Sequence, residues 1–78
     1  MEEPLIVADP RIMVGKPVIR GTRITVEHIL REMAGGMTID DILEAHPHIT
    51  REGVEAALRF AADSVRLERI YPIDRASA

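Results

Sequence analysis

The sequence contains no cysteine and no tryptophan, and it has one phenylalanine and one tyrosine. Without cysteine the chain can form neither disulfide bonds nor thiolate metal sites. Because aromatic residues make up only 3%, the core must be built from aliphatic side chains, Met and Ala. The total hydrophobic content of 46% is too high for a disordered tail, so the composition predicts a folded protein.

The sequence also lacks long apolar runs, because none approaches the ~18 residues of a membrane span. Its first residues, MEEP, are acidic and unlike a signal peptide, so we expect a cytoplasmic protein with no membrane partner. A length of 78 residues indicates one domain, residues 1–78. A chain of this size buries only about 60% of its unfolded surface, so a partner surface would add to its thin core.

A strong net charge is absent as well, because the formal charge is only −3. This value hides a segregation along the chain. Residues 1–25 carry four bases and three acids, residues 26–55 two bases and seven acids, and residues 56–78 four bases and three acids. Nine of the ten bases are Arg, which suits planar contacts with phosphates and carboxylates. Genomic codon bias is the alternative explanation.

Short apolar runs at residues 5–8, 12–14 and 18–19 predict two or three short strands, separated by turns at Asp9-Pro10 and Gly15-Lys16-Pro17. Helical spacing of apolar residues then predicts three helices. We therefore expect an α+β fold that is mostly α. A short N-terminal β-hairpin arm, residues 1–24, precedes a three-helix helix–turn–helix core, residues 25–68, and a C-terminal tail, residues 69–78.

A threonine opens each expected helix and offers its hydroxyl as an N-cap: these are Thr25, Thr38 and Thr50. Gly35-Gly36 and Pro47 are expected to end the first and second helices. The third is expected to run to about Glu68. Helices two and three are separated by about four residues, as in DNA-binding helix–turn–helix domains, although many small helical domains share this outline.

The densest basic cluster lies in the expected hairpin and holds Arg11, Lys16, Arg20 and Arg23 without an intervening acid. These side chains are candidates for binding a nucleic-acid backbone or an acidic protein. The alternative is a solvated sheet face, with the cations paired to acidic helices of the same chain. The turns between them leave open which of the four share a face.

The start of the third helix is the expected recognition position, where Arg51 is the candidate base-contacting residue. Its neighbours Glu52 and Glu55 oppose an approach to phosphates. Arg51, Glu55, Arg59 and Asp63 recur every four residues with alternating sign, which is also typical of a salt-bridged, solvated helix face. DNA binding would therefore need dimerisation, the hairpin arginines or a basic partner.

Phe60 falls roughly opposite the main apolar stripe of the third helix, which runs from Val54 to Val65. A helix with two apolar faces packs against two surfaces. The second surface is the hairpin, the tail or another subunit. We favour a C2 homodimer, with Phe60, Leu67 and Tyr71 as its candidate interface.

Catalytic patterns are missing from the sequence. No glycine-rich phosphate loop, nucleophile elbow or HExxH stretch is present, and we expect no enzyme. His28 falls on a polar helix face, and His46 lies where it can interact with the last carbonyls of the second helix. No spacing nominates further ligands, so we expect no metal site and no cofactor.

The stretches GKPVIRGTRITV, AHPHIT and EAALRFAAD, at these spacings, resemble the bacterial domain of unknown function 433 family. The resemblance spans about residues 6–63. The positions that match the family pattern are Gly15, Pro17, Gly21, Thr22, Arg23, Ile24, Pro47, Thr50, Ala57 and Leu58. Most have structural explanations, since Gly21 can supply a positive φ and Thr22 can bond the backbone, but Arg23 has none.

The resemblance implies a VapB-type, antitoxin-like helix–turn–helix protein. Such a protein binds and blocks a PIN-like nuclease toxin, and as a dimer it represses its own operon by binding operator DNA. It implies no activity of its own. The alternatives are a dimeric protein-interaction adaptor and a stand-alone nucleic-acid-binding regulator without a toxin. The next open reading frame and the salt dependence of binding would separate these possibilities.

Overall fold

The computed structural model describes residues 4–67. A two-stranded antiparallel ladder precedes three helices, which confirms the expected α+β, mostly α fold. Ile6 pairs with Ile19, and Val7 pairs with Val18. The elements are β1 (Ile6–Val7), β2 (Val18–Ile19), α1 (Val26–Ala34), α2 (Ile39–Ala45) and α3 (Arg51–Leu67). Among the described residues, none of these helices combines the length and apolar character needed to span a bilayer.

The segment between the strands differs from the sequence prediction, because residues 12–14 are not extended. Met13–Gly15 form a short 3-10 turn, and Met13 and Val14 both have φ of 49°. The cause lies at Asp9, whose carbonyl accepts from Ile12 N and whose carboxylate accepts from Arg11 N. These bonds curl the chain before a second strand can form. Val14 is therefore held in a left-handed conformation that β-branched residues rarely adopt.

The turn after β2 behaves as its residues predict. Gly21 has φ of 82°, which is a conformation that glycine reaches without steric cost. The Thr22 hydroxyl donates to the Ile19 carbonyl at 2.8 Å and accepts from Ile24 N at 3.0 Å. The chain then returns to the ladder, where Thr25 forms an isolated bridge with Val18.

All three threonine caps are confirmed. Thr25 accepts from His28 N, and Thr50 accepts from Gly53 N. Thr38 and Asp41 form a reciprocal capping box, in which each side chain accepts from the other's backbone N–H. These bonds satisfy N–H groups that the first turn of a helix leaves without partners. Gly35 is the C-cap of α1, and His46 is the C-cap of α2 just before Pro47.

The core lies where β2 and the three helices meet. Its buried members are aliphatic, as the composition requires: Ile19, Val26, Ile29, Ile42, Ile49, Val54 and Ala57. Gly53 permits close packing of α3 on β2, because a Cβ at that position would lie 3.3 Å from Ile19 Cγ2. The hairpin is therefore a packed part of the fold, and it supplies one side of the core.

Candidate functional site

An open apolar groove lies between the first turns of α1 and the C-terminal half of α3. We call it the α1–α3 groove, and its volume is about 320 Å³. Its apolar lining consists of Pro17, Val26, Leu30, Phe60, Ala61 and Val65, and Lys16 and Glu27 are among its polar members. Leu30 is 39% exposed, Phe60 38% and Val65 54%. The groove thus leaves three large apolar side chains in contact with solvent.

The sequence prediction placed Phe60 and Val65 on different faces of the third helix, but both line the α1–α3 groove. Phe60 was expected at an interface, and its exposure is compatible with that expectation. Leu67 ends α3, and its side chain is outside the described part of the structure. Tyr71 and the expected tail lie outside the described residues too. The packing of α1 against α3 also leaves Leu30 open to solvent.

The polar side of the groove contains a charge network. Lys16 Nζ donates to Glu27 Oε1 at 3.2 Å, and Arg31 Nε donates to Glu27 Oε2 at 3.0 Å. The hydrogen bond from Arg31, followed by that from Lys16, lowers the pKa of Glu27 from its ordinary value. Lys16 was predicted as a partner-binding cation, but its charge is already paired with a glutamate of its own chain. This pairing with an acidic helix is the alternative that the sequence left open.

The remaining hairpin cations have separate environments. Arg11 forms a bidentate pair with Asp9, with bonds of 3.1 and 3.0 Å, and its side-chain hydrogen bond lowers the pKa of Asp9. Arg20 donates to the Pro4 carbonyl at 2.6 Å. Arg23 is exposed, and within the described residues no hydrogen bond or ion pair engages its side chain. Arg23 is thus the hairpin cation most available to a partner.

The predicted recognition position is occupied by an interhelical ion pair. Arg51 donates to the carboxylate of Asp40 in α2. Arg51 therefore pairs outside α3 and takes no part in the expected run of ion pairs along that helix. Within α3, the side chains of Arg66 and Asp63 approach to 4.0 Å. Glu52 beside Arg51 is exposed. A phosphate approaching the start of α3 would meet a paired arginine and acidic side chains.

A cluster that the sequence did not reveal joins α1 to the end of α2. The Glu32 carboxylate accepts from His28 Nε2 at 3.1 Å, and its two oxygens lie 3.1 and 3.2 Å from His46 Nε2. The two imidazole rings meet edge to face at 5.5 Å. His28 and Glu32 are four residues apart on one helix, which was a readable signal. His46 was expected to contact only helix-end carbonyls, and its place here depends on how α2 packs.

Comparison with known protein families identifies a match. Residues 6–61 match the family described as "Protein of unknown function (DUF433)". The chain is 33% identical over 57 residues to "Uncharacterized protein y4eO" of Sinorhizobium fredii (strain NBRC 101917 / NGR234). That match covers 73% of this chain and 26% of the relative, so the chain spans about a quarter of the relative's length.

A solved structure is similar to this fold. It is the crystal structure of a DUF433 member protein from Anabaena variabilis ATCC 29413, and it superimposes with a TM-score of 0.78 at 25% sequence identity. The alignment covers 82% of this chain and 63% of that one. The strands and helices described above are therefore an arrangement that a relative shares.

Proposed function

The chain belongs to the DUF433 family, and we propose that it is an antitoxin-like component of a bacterial toxin–antitoxin pair. Its partner is a PIN-like nuclease, which it binds and blocks through the α1–α3 groove and the hairpin. The observation that carries this proposal is the open groove, where Leu30, Phe60 and Val65 remain in contact with solvent.

An exposed aromatic side chain beside an apolar groove is the usual form of an interface anchor. Phe60 provides the anchor, and the neighbouring Leu30 and Val65 provide apolar surface that binding would desolvate. Lys16 and Glu27 give the groove a polar border that satisfies polar groups around the anchor. We assign an amphipathic segment of the nuclease to this groove.

The hairpin supplies the second contact. A PIN-like active site gathers carboxylates to hold Mg²⁺, so a guanidinium inserted there complements its charge and competes with the metal. Arg23 is available for this role because no described residue pairs with it. Arg20 directly follows β2 and already donates to the Pro4 carbonyl, so it would act from a fixed position three residues before Arg23 in the chain.

Repression of the operon would need a source of positive charge other than the start of α3. Arg51 is paired with Asp40, and Glu52 adds negative charge beside it. Operator binding would therefore use a homodimer without bound nuclease, to which the hairpin arginines add positive charge. Phe60, Leu67 and Tyr71 are the proposed dimer residues, so a second copy of the chain and the nuclease would bind at Phe60 in turn. A dimeric adaptor without a toxin is the second candidate, because the exposed Phe60 would serve a second copy of the chain equally well.

The test is co-expression of this chain with the nuclease encoded beside it, followed by purification of the complex after nucleic-acid digestion. Val65→Asp places a charge in the groove, and Ala62→Asp places the same charge at an exposed position of α3 outside the groove lining. We expect Val65→Asp to abolish the complex and Ala62→Asp to retain it.

Charge reversal at the hairpin tests the second contact. We expect Arg20→Glu combined with Arg23→Glu to leave a weakened complex that no longer neutralises the nuclease. Neutralisation by the doubly reversed chain would contradict the metal-site mechanism. A clean dimer that captures no nuclease would contradict the antitoxin proposal and favour the adaptor, whereas binding that weakens steeply with salt would favour a nucleic-acid partner.

A further inference from the structure

We propose that His28, Glu32 and His46 bind one divalent transition-metal ion of the zinc class, which connects α1 to the end of α2. The three side chains offer one ligand atom each, and these atoms all lie within 4.8 Å of one another. The proposal does not depend on the antitoxin function.

The local fold explains why the three ligand atoms converge. His28 and Glu32 are separated by one helical turn of α1, so their side chains lie one above the other. His46 is the C-cap of α2, and its backbone N–H is bonded to the Ile42 carbonyl. Because Ile29 of α1 and Ile42 of α2 are both buried in the same core, the two helices are held together beside the cluster.

The ligand types fit a zinc-class ion. Two imidazoles and one carboxylate form a set that zinc uses when a fourth position is left to water or another ligand. Metal–ligand bonds of about 2.0–2.1 Å place tetrahedral ligand atoms about 3.3 Å apart. Glu32 Oε2 already lies 3.1 Å from His28 Nε2 and 3.2 Å from His46 Nε2. The ligand atoms of the two histidines lie within 4.8 Å of each other, and side-chain rotation would bring them to the tetrahedral separation.

The surroundings allow an ion to enter while limiting exchange with water. The side chains of Glu32 and His46 are 20% and 21% exposed, whereas His28 is 50% exposed. His28 therefore forms the open side of the site, and solvent can complete the coordination there. A bound ion would replace the hydrogen bonds that Glu32 makes to both rings, and it would keep the two helices joined through three ligand bonds.

The site is separate from the α1–α3 groove. Val26 and Leu30 line the groove, and at 100° per residue they lie on a different face of α1 from His28 and Glu32. A metal ion would thus act on the packing of α1 against α2 without filling the groove. Because it would bind only the folded arrangement, it would raise the thermal stability of the chain.

The test uses the full chain without a histidine tag, stripped with chelator and then titrated with Zn²⁺ by calorimetry and with Co²⁺ by visible absorption. We expect one ion per chain, ligand-field bands typical of nitrogen and oxygen ligands for Co²⁺, and a higher midpoint of thermal unfolding with Zn²⁺. Chains with His46→Gln or Glu32→Gln should bind at least about tenfold more weakly, since loss of even an outer-shell partner has that effect.

His48→Gln is the matched control, because His48 is exposed, lies two residues from His46 and is not part of the cluster. It should leave affinity and stoichiometry unchanged. Circular dichroism establishes that each variant is folded before titration. Equal weakening by His48→Gln would overturn the assignment, and so would unchanged affinity in His46→Gln. Should every ligand variant unfold, the unmodified chain still decides the matter, since absence of a one-to-one Co²⁺ spectrum overturns the proposal.

Discussion

The two halves of α3 have the same helical backbone and opposite surroundings. In the first half, Gly53, Val54 and Ala57 are buried against β2 and the other helices. In the second half, Phe60 and Val65 are open to solvent. At 1.5 Å per residue, α3 is about 25 Å long, whereas α1 is only about 13 Å long and cannot cover it. One half of the helix therefore maintains the fold, and the other provides a surface.

The same substitution in the two halves gives the largest expected contrast. Val54 is fully buried, so Val54→Asp places a carboxylate in the aliphatic core, and we expect it to unfold the chain. Val65 is 54% exposed, and we expect Val65→Asp to change the free energy of unfolding by no more than about 0.5 kcal/mol. Urea denaturation followed by circular dichroism measures both.

Equal destabilisation by the two variants would remove the distinction between the halves of α3, because it would mean that the groove side is required for folding. A folded Val65→Asp chain that no longer binds its partner would sharpen the distinction. The Ala62→Asp chain serves as the reference for adding a charge to an exposed site of the same helix.

The next largest effect concerns the N-cap of α2. Thr38→Ala removes the hydroxyl that accepts from Asp41 N, and we expect a loss of about 1 kcal/mol in the free energy of unfolding. Thr38→Ser retains a hydroxyl and should recover most of that loss. If alanine and serine are equally stable, the capping box does not contribute to stability, and packing alone holds α2.

The turn at Met13–Gly15 is exposed to solvent, and a substitution there should increase the free energy of unfolding. Val14 is 86% exposed with φ of 49°, so Val14→Gly relieves backbone strain without removing buried contacts. We expect the chain to gain about 0.5–1 kcal/mol. Val65→Gly is the matched control, since glycine within a helix should destabilise the chain. Destabilisation by Val14→Gly would show that the left-handed turn is unstrained.

The smallest effect is a dependence of stability on acid. Hydrogen bonds from Arg11, Arg31 and the Thr38 backbone, respectively, lower the pKa values of Asp9, Glu27 and Asp41 below their ordinary values of 3.8 for Asp and 4.5 for Glu. As the pH falls, these carboxylates therefore take up protons in the unfolded chain before they do so in the folded chain. The free energy of unfolding consequently increases as the pH rises toward the ordinary pKa values. That stability should be complete above about pH 4.5 and be lost as the pH falls further.

Urea midpoints measured across this acid range check the sign. Because Glu27 and Asp41 are exposed and Asp9 is half-buried, the slope should be shallow and weaker at high salt. Glu27→Gln should flatten the part of the curve nearest its ordinary pKa of 4.5 and leave the rest unchanged. A rise in stability on acidification would contradict the assignment of these hydrogen bonds.

Local signals explain why the helices could be predicted from the sequence. Thr25, Thr38 and Thr50 each act on a backbone N–H only three residues away, and Gly35 ends α1 through its own backbone. Residues 12–14 were predicted as a strand, because apolar composition does not reveal how Asp9 redirects the chain. The sequence provided even less information about how the strands and helices pack against one another.

Tertiary packing decides which candidate residues meet. Arg51 pairs with Asp40 across two helices, where the sequence indicated pairing along one helix. His46 reaches Glu32 only because α2 folds back beside α1. The groove forms because α3 is longer than α1 and because Phe60 lies beside it. The sequence indicated only that Phe60 lies away from the main apolar stripe of the third helix.

Thr25 joins the arm to the helices in a way that bears on local opening. Its backbone bridges Val18, its hydroxyl accepts from His28 N, and the next residue, Val26, donates to the Pro17 carbonyl at 3.0 Å. The strand and the first turn of α1 therefore share one set of bonds. The arm cannot detach while that turn stays intact, so both should exchange their amide hydrogens as one cooperative unit.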